Sequence, residues 1–149
     1  MPYLESSIEI NAPPAKVREI FLDFPAYPEW HTDWIKGIEI EDNADKSKTG
    51  LSLTAGDKVK CNIEGFSFVA EIKENSEQLL SWQGPPVFTI AGLHNFRFES
   101  AKDGTATVFT QSEQMKGLLS FAMSPSLLGR FMRADYDVFN KDLKTRAEA

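Results

Sequence analysis

Two side chains of this 149-residue chain, His31 and His94, ordinarily titrate near neutrality, so proton transfer would start from one of them. His94 is the more informative. In Gly92-Leu93-His94-Asn95-Phe96-Arg97-Phe98-Glu99, strand alternation puts His94 on the face of Phe96 and Phe98, opposite Asn95, Arg97 and Glu99. An imidazole on an apolar face can hydrogen-bond a ligand carbonyl, exchange a proton with it, or be satisfied by backbone without chemistry. Ligand contact is the expectation, and His94 is the catalytic residue should the chain be an enzyme.

The other reactive types are weaker. His31 follows Trp30 in a short helical stretch and is expected to be exposed, with Trp30 packed over one end of the interior. Tyr136 offers a hydroxyl to a ligand. Glu113, between Gln111 and Gln114, lies on a strand whose phase is ambiguous, because Val108 and Phe109 cannot both face inward without a bulge. It is assigned to the surface. Cys61 has no activating base nearby in sequence and is expected to be a small buried residue. No Gly-rich phosphate loop, no Ser-His-Asp order and no short-range metal-ligand spacing occurs, so neither a cofactor nor a metal is expected.

These residues need elements to position them. Leu4, Ser6, Ile8 and Ile10 alternate with Glu5, Ser7 and Glu9, predicting a half-buried strand. Asn11-Ala12-Pro13-Pro14 starts a helix carrying Val17, Ile20, Phe21 and Phe24, and a second short helix is expected around Tyr27–His31. From Ile35 to Lys116 the pattern is strand after strand: Ile38–Glu41, one after Gly50, Asp57–Glu64, one with Phe66, Phe68, Ala70 and Ile72 on one face, Leu79–Trp82, the His94 strand, and Thr105–Met115 after the turn Lys102-Asp103-Gly104. A long amphipathic helix closes the chain, with Leu127/Leu128, Phe131/Met132, Tyr136, Phe139 and Leu143 at three-to-four-residue steps and a kink or restart near Pro125.

The fold class is therefore α+β, one domain over residues 1–149. A meander curved around a helix leaves a gap between them, and small ligands commonly occupy such gaps. Trp30, Phe66, Phe68, Trp82, His94, Phe96 and Phe98 on the sheet side are expected to line it. Phe121, Leu128, Phe131, Met132 and Tyr136 are the helix-side counterparts. The chain's eleven Phe, three Trp and three Tyr suit a filled core or a cavity wall equally.

Composition excludes some partners. Lys and Arg total 16 against 22 Asp and Glu, a net charge of −6 without a basic cluster, so no nucleic-acid partner is expected. Lys141, Lys144 and Arg146 complement the end of a helix dipole. A single cysteine rules out an internal disulfide, and no stretch is apolar enough to span a membrane. The start lacks a signal peptide, so a cytoplasmic protein without stable membrane insertion, monomeric or homodimeric, is expected.

Several motifs, in order, resemble one superfamily. Ile10-Asn11-Ala12-Pro13 with Val17, then Tyr27-Pro28 and Trp30, is similar to the opening of the polyketide cyclase/START-like (SRPBCC, Bet v 1-like) superfamily. Gly92–Glu99, Gly104-Thr105, Glu113 with Gly117, and Phe139-Asn140 with Leu143-Lys144 continue the match across the chain. The resemblance implies a helix-grip fold, in which a strongly curved antiparallel sheet wraps a long C-terminal helix around an apolar cavity. It does not imply one activity, since members include lipid carriers, hormone receptors, aromatase/cyclases, oxygenase domains and chaperone activators.

Three functions stay open at this level. The chain binds a small apolar molecule, lipid-, polyketide- or hormone-like; or it is a cyclase/dehydratase-type enzyme working in the same cavity without a cofactor; or it is a protein-interaction module. The scarcity of catalytic side chains favours binding.

Overall fold

The computed structural model describes residues 3–43, 47–63, 66–85, 91–117, 120–124, 126–127 and 129–149. Seven strands form one antiparallel sheet in the order β1-β7-β6-β5-β4-β3-β2. They are β1 (Tyr3–Ile10), β2 (Ile35–Ile40), β3 (Lys58–Ile63), β4 (Phe66–Asn75), β5 (Leu79–Gln83), β6 (Ala91–Ala101) and β7 (Ala106–Lys116). Helix α1 (Pro14–Leu22) and a 3-10 helix (Phe24–Glu29) follow β1, and the helix α2 (Gly129–Ala147) ends the chain.

Local chemistry explains the joints. Pro14 opens α1, where a missing N–H costs nothing. Lys102, Asp103 and Gly104 take φ of 49°, 56° and 89°, a left-handed run that turns β6 into β7. On β1 the row Leu4, Ser6 and Ile10 is buried, and on β6 the row His94, Phe96 and Phe98, as alternation requires. On β7 the inner row is Thr107, Phe109, Gln111, Glu113 and Met115, which resolves the phase left open by Val108 and Phe109.

At one end the space between sheet and helices is filled. Phe21 of α1 meets Phe96, Phe98, Phe109 and Phe139 at ring-centroid distances of 4.6, 5.6, 5.9 and 6.0 Å. All five rings are at most 1% exposed. This is close-packed core. Phe96 and Phe98, expected along a cavity wall, belong to it.

Other expectations need correction. The segment directly after Gly50, expected as a strand, is not one. Gly50–Ser52 is a 3-10 turn held by a reciprocal cap between Thr49 and Ser52. It is pressed against the end of α1, where a Cβ on Gly50 would stand 2.0 Å from the Leu22 carbonyl oxygen. Phe66 is 58% exposed, because it is the first residue of β4, paired with the last of β3, beyond the covered part of its row. Phe131 is 59% exposed: it precedes Met132 by one residue, and one helical step turns it off the stripe Met132–Tyr136–Phe139–Leu143. The Arg130 guanidinium lies 4.8 Å above its ring instead. Phe121, in the 3-10 segment Ser120–Met123, is 64% exposed. Pro125 and Leu128 lie outside the described residues, as do positions 86–90 of the loop before β6.

Candidate functional site

The sheet end at which β4 and β6 begin and β5 and β7 finish is built differently from the phenylalanine end. His94 of β6 and Glu113 of β7 are direct cross-strand partners, both on the inner face. Glu113 was assigned to the surface, yet its side chain is only 13% exposed. The reason is Gly92, one inward position before His94. A Cβ there would stand 2.1 Å from Glu113 Oε1, so only glycine leaves the carboxylate its place. Glu113 Oε2 lies 3.5 Å from His94 Nδ1 and also accepts a hydrogen bond from the hydroxyl of Tyr136 on α2.

The second nitrogen of His94 is tied to a chain of buried amides. Nε2 lies 3.0 Å from Gln111 Oε1, and Gln111 Nε2 donates to Asn140 Oδ1 at 2.7 Å. Asn140 Nδ2 then donates to the Ser6 carbonyl at 3.3 Å and to Ser6 Oγ at 3.0 Å. Ser6 Oγ donates to Asp137, so the network runs from β6 through β7 and α2 to β1. Sequence reasoning attached no role to Ser6, Gln111 or Asn140 in a site. Ser6 did carry a signal, as the polar residue on an otherwise apolar row.

Aromatic rings enclose the imidazole. Phe96 stacks on it at 4.2 Å with 9° between planes, and Tyr136 and Trp82 lie at 5.0 and 6.1 Å. Burial pushes the His94 pKa below its ordinary value, while the Glu113 charge and the Gln111 bond pull the other way. The ring is thus neutral at neutral pH. Burial, reinforced by the carboxylate, raises the Tyr136 phenol well above its usual range.

The remaining expected residues divide. Trp82 is buried, Phe68 is half-buried, and Met132 is half-buried against Leu4, Met115 and Tyr136. Trp34, which the sequence did not single out, packs 5.3 Å from Tyr136. Trp30 sits apart, half-buried at 4.7 Å from Tyr27 and 5.5 Å from Phe139. His31, expected at the surface, is 1% exposed. Its Nδ1 meets Asp142 Oδ2 at 2.8 Å and its Nε2 accepts from the Ile35 N–H at 3.1 Å, which pins the start of β2 to α2. These two bonds give it a structural role separate from the His94 network. Burial drives the Cys61 thiol up to about 12, so it is no nucleophile. Among the described residues no group of three or more His, Cys, Asp or Glu is placed to hold a metal ion.

A family model described as polyketide cyclase / dehydrase and lipid transport matches residues 1–148. The chain belongs to this family. Solved structures of family-like shape agree with the fold. A hypothetical protein from Helicobacter pylori superposes with a TM-score of 0.76 at 13% identity, over 97% of this chain and 87% of that one. A START superfamily protein from Mycobacterium smegmatis gives 0.71 at 17% identity, over 98% and 97%. Ara h 8.0201 gives 0.69 at 13% identity, over 97% and 96%. No curated protein matches in sequence. Family and fold together indicate a hydrophobic-ligand-binding or polyketide cyclase-like protein. No helix among the described residues is long and apolar enough to cross a membrane.

Proposed function

We propose that the chain binds a small, largely apolar molecule between the sheet and α2, at the end where His94, Glu113 and Tyr136 meet. The observation that carries this reading is the contrast between the two ends of the interior. One is packed with phenylalanine rings. The other sets an imidazole and a carboxylate 3.5 Å apart beside Trp82, Trp34 and the half-buried Phe68 and Met132. Burying about 300 Å² of ligand surface there would contribute roughly 7 kcal/mol before association costs. Trp82 and Trp34 stand close enough to report binding by fluorescence. Saturable quenching by a panel of fused-ring and long-chain compounds, absent in the variant Trp82→Phe/Trp34→Phe, tests the reading. A signal that never saturates would refute it.

The site's proton chemistry favours a second reading, a cyclase/dehydratase-type enzyme. His94 Nδ1 would take a proton from the bound molecule, and the Glu113 carboxylate would stabilise the imidazolium formed. Conversion of a bound polyketide-like chain that stops in His94→Ala, with binding little weakened, supports it. Turnover that survives the substitution removes it.

A further inference from the structure

The tautomer of His94 is dictated by the backbone. A peptide carbonyl only accepts hydrogen bonds, so the Asn140 group directed at the Ser6 carbonyl is the amino group, Nδ2. Its amide oxygen therefore faces Gln111 and must be met by the Gln111 amino group at 2.7 Å. That turns Gln111 Oε1 toward His94, and an amide oxygen facing an imidazole nitrogen at 3.0 Å requires that nitrogen to carry its hydrogen. The one hydrogen of the neutral ring is thus on Nε2. Nδ1 keeps a lone pair, 3.5 Å from a carboxylate whose Oε2 already takes the only hydroxyl hydrogen of Tyr136. Two acceptors converge at this point, and the hydroxyl hydrogen of Tyr136 and the hydrogen on His94 Nε2 are already engaged.

We propose that the molecule bound here carries a hydrogen-bond donor of its own, in the simplest case the hydroxyl of an alcohol, phenol or enol, which donates to His94 Nδ1 or to Glu113, and that Gln111 and Asn140 are the positioning residues that set this preference. The proposal rests on the binding reading above. It reverses the sequence expectation of a ligand carbonyl at His94: a carbonyl or an ether brings a further acceptor, and a carboxylate brings a like charge to Glu113. A buried acceptor left without a donor is penalised, and this gives the discrimination.

Two measurements test it. Nitrogen NMR of isotope-labelled protein reads the tautomers directly. His94 is expected as Nε2–H with a bare Nδ1. His31, whose Nε2 accepts from Ile35 and whose Nδ1 faces Asp142, gives the opposite pattern as an internal contrast. An Nδ1–H tautomer at His94 would overturn the inference. Binding of naphthalene, a naphthol, its methyl ether and the naphthoate is then compared. The naphthol is expected to bind about tenfold or more tighter than the ether and the naphthoate. In Gln111→Met the naphthol should fall to the level of the ether, whose own affinity is retained. Equal binding of all four leaves the pocket standing and removes the donor preference. Binding of none removes both. Should Gln111→Met fail to fold, the wild-type tautomer and the wild-type panel still decide.

Discussion

Glu113 occupies the space that Gly92 leaves on the neighbouring strand: a methyl group on Gly92 would lie 2.1 Å from Glu113 Oε1. Because the clash falls on the end of a flexible side chain, Gly92→Ala is expected to fold and to swing the carboxylate away from His94 and Tyr136. The Glu113 charge raises the His94 pKa, so its departure should lower that value further, as should Glu113→Gln. Titration of the His94 ring protons by NMR checks both. An unchanged His94 pKa in both variants would separate Glu113 from the site.

Stability should depend on pH through His94. Its folded pKa is depressed by burial, so the unfolded chain takes up the proton first, at about pH 6.5. The contribution is present above that value and is lost as pH falls through the folded pKa. Urea unfolding at about pH 7 and about pH 5 should show this loss, and His94→Gln should reduce it. A slope that is the same in both proteins would contradict a buried neutral imidazole.

His31 holds the start of β2 to α2, and its hydrogen bonds go to Asp142 and Ile35, outside the His94 network. His31→Ala leaves the Ile35 N–H without its acceptor and is expected to cost about 1–3 kcal/mol. Chemical denaturation gives the stability, and fluorescence titration with the naphthol should give an affinity unchanged. A large loss of affinity at undiminished stability would place His31 in the site after all.

The aromatic end is core and should respond as core. Phe21→Ala removes the ring that touches Phe96, Phe98, Phe109 and Phe139, with an expected cost of about 3–5 kcal/mol. Phe131→Ser and Phe121→Ser, at exposed positions, should change the denaturation midpoint little. A Phe21→Ala protein as stable as the parent would mean that this end is loosely filled.

What was legible in the sequence follows from periodicity. Leu4, Ser6 and Ile10, and likewise His94, Phe96 and Phe98, share faces because side chains alternate along any strand, and the left-handed turn at Lys102-Asp103-Gly104 is local chemistry. The site depended on relations that no local pattern carries. Glu113 faces inward because a glycine stands across the ladder on another strand. His31 is buried because Asp142 meets it from the far end of the chain. Gln111 and Asn140 acquire a role only once β7 and α2 are in contact. Phe66 and Phe131 failed as interior residues for a related reason, since a face predicted by period continues only as far as another element covers it. The segment after Gly50 turned out helical because a reciprocal cap and a tight contact with α1 outweighed its apolar residues.

The most direct test of the central claim is native mass spectrometry of freshly purified protein, followed by solvent extraction and by titration with the naphthol. The account predicts one equivalent of a small apolar compound, either carried through purification or taken up saturably and displaced by competition. A protein that stays at its bare mass and takes up none of the panel would contradict it.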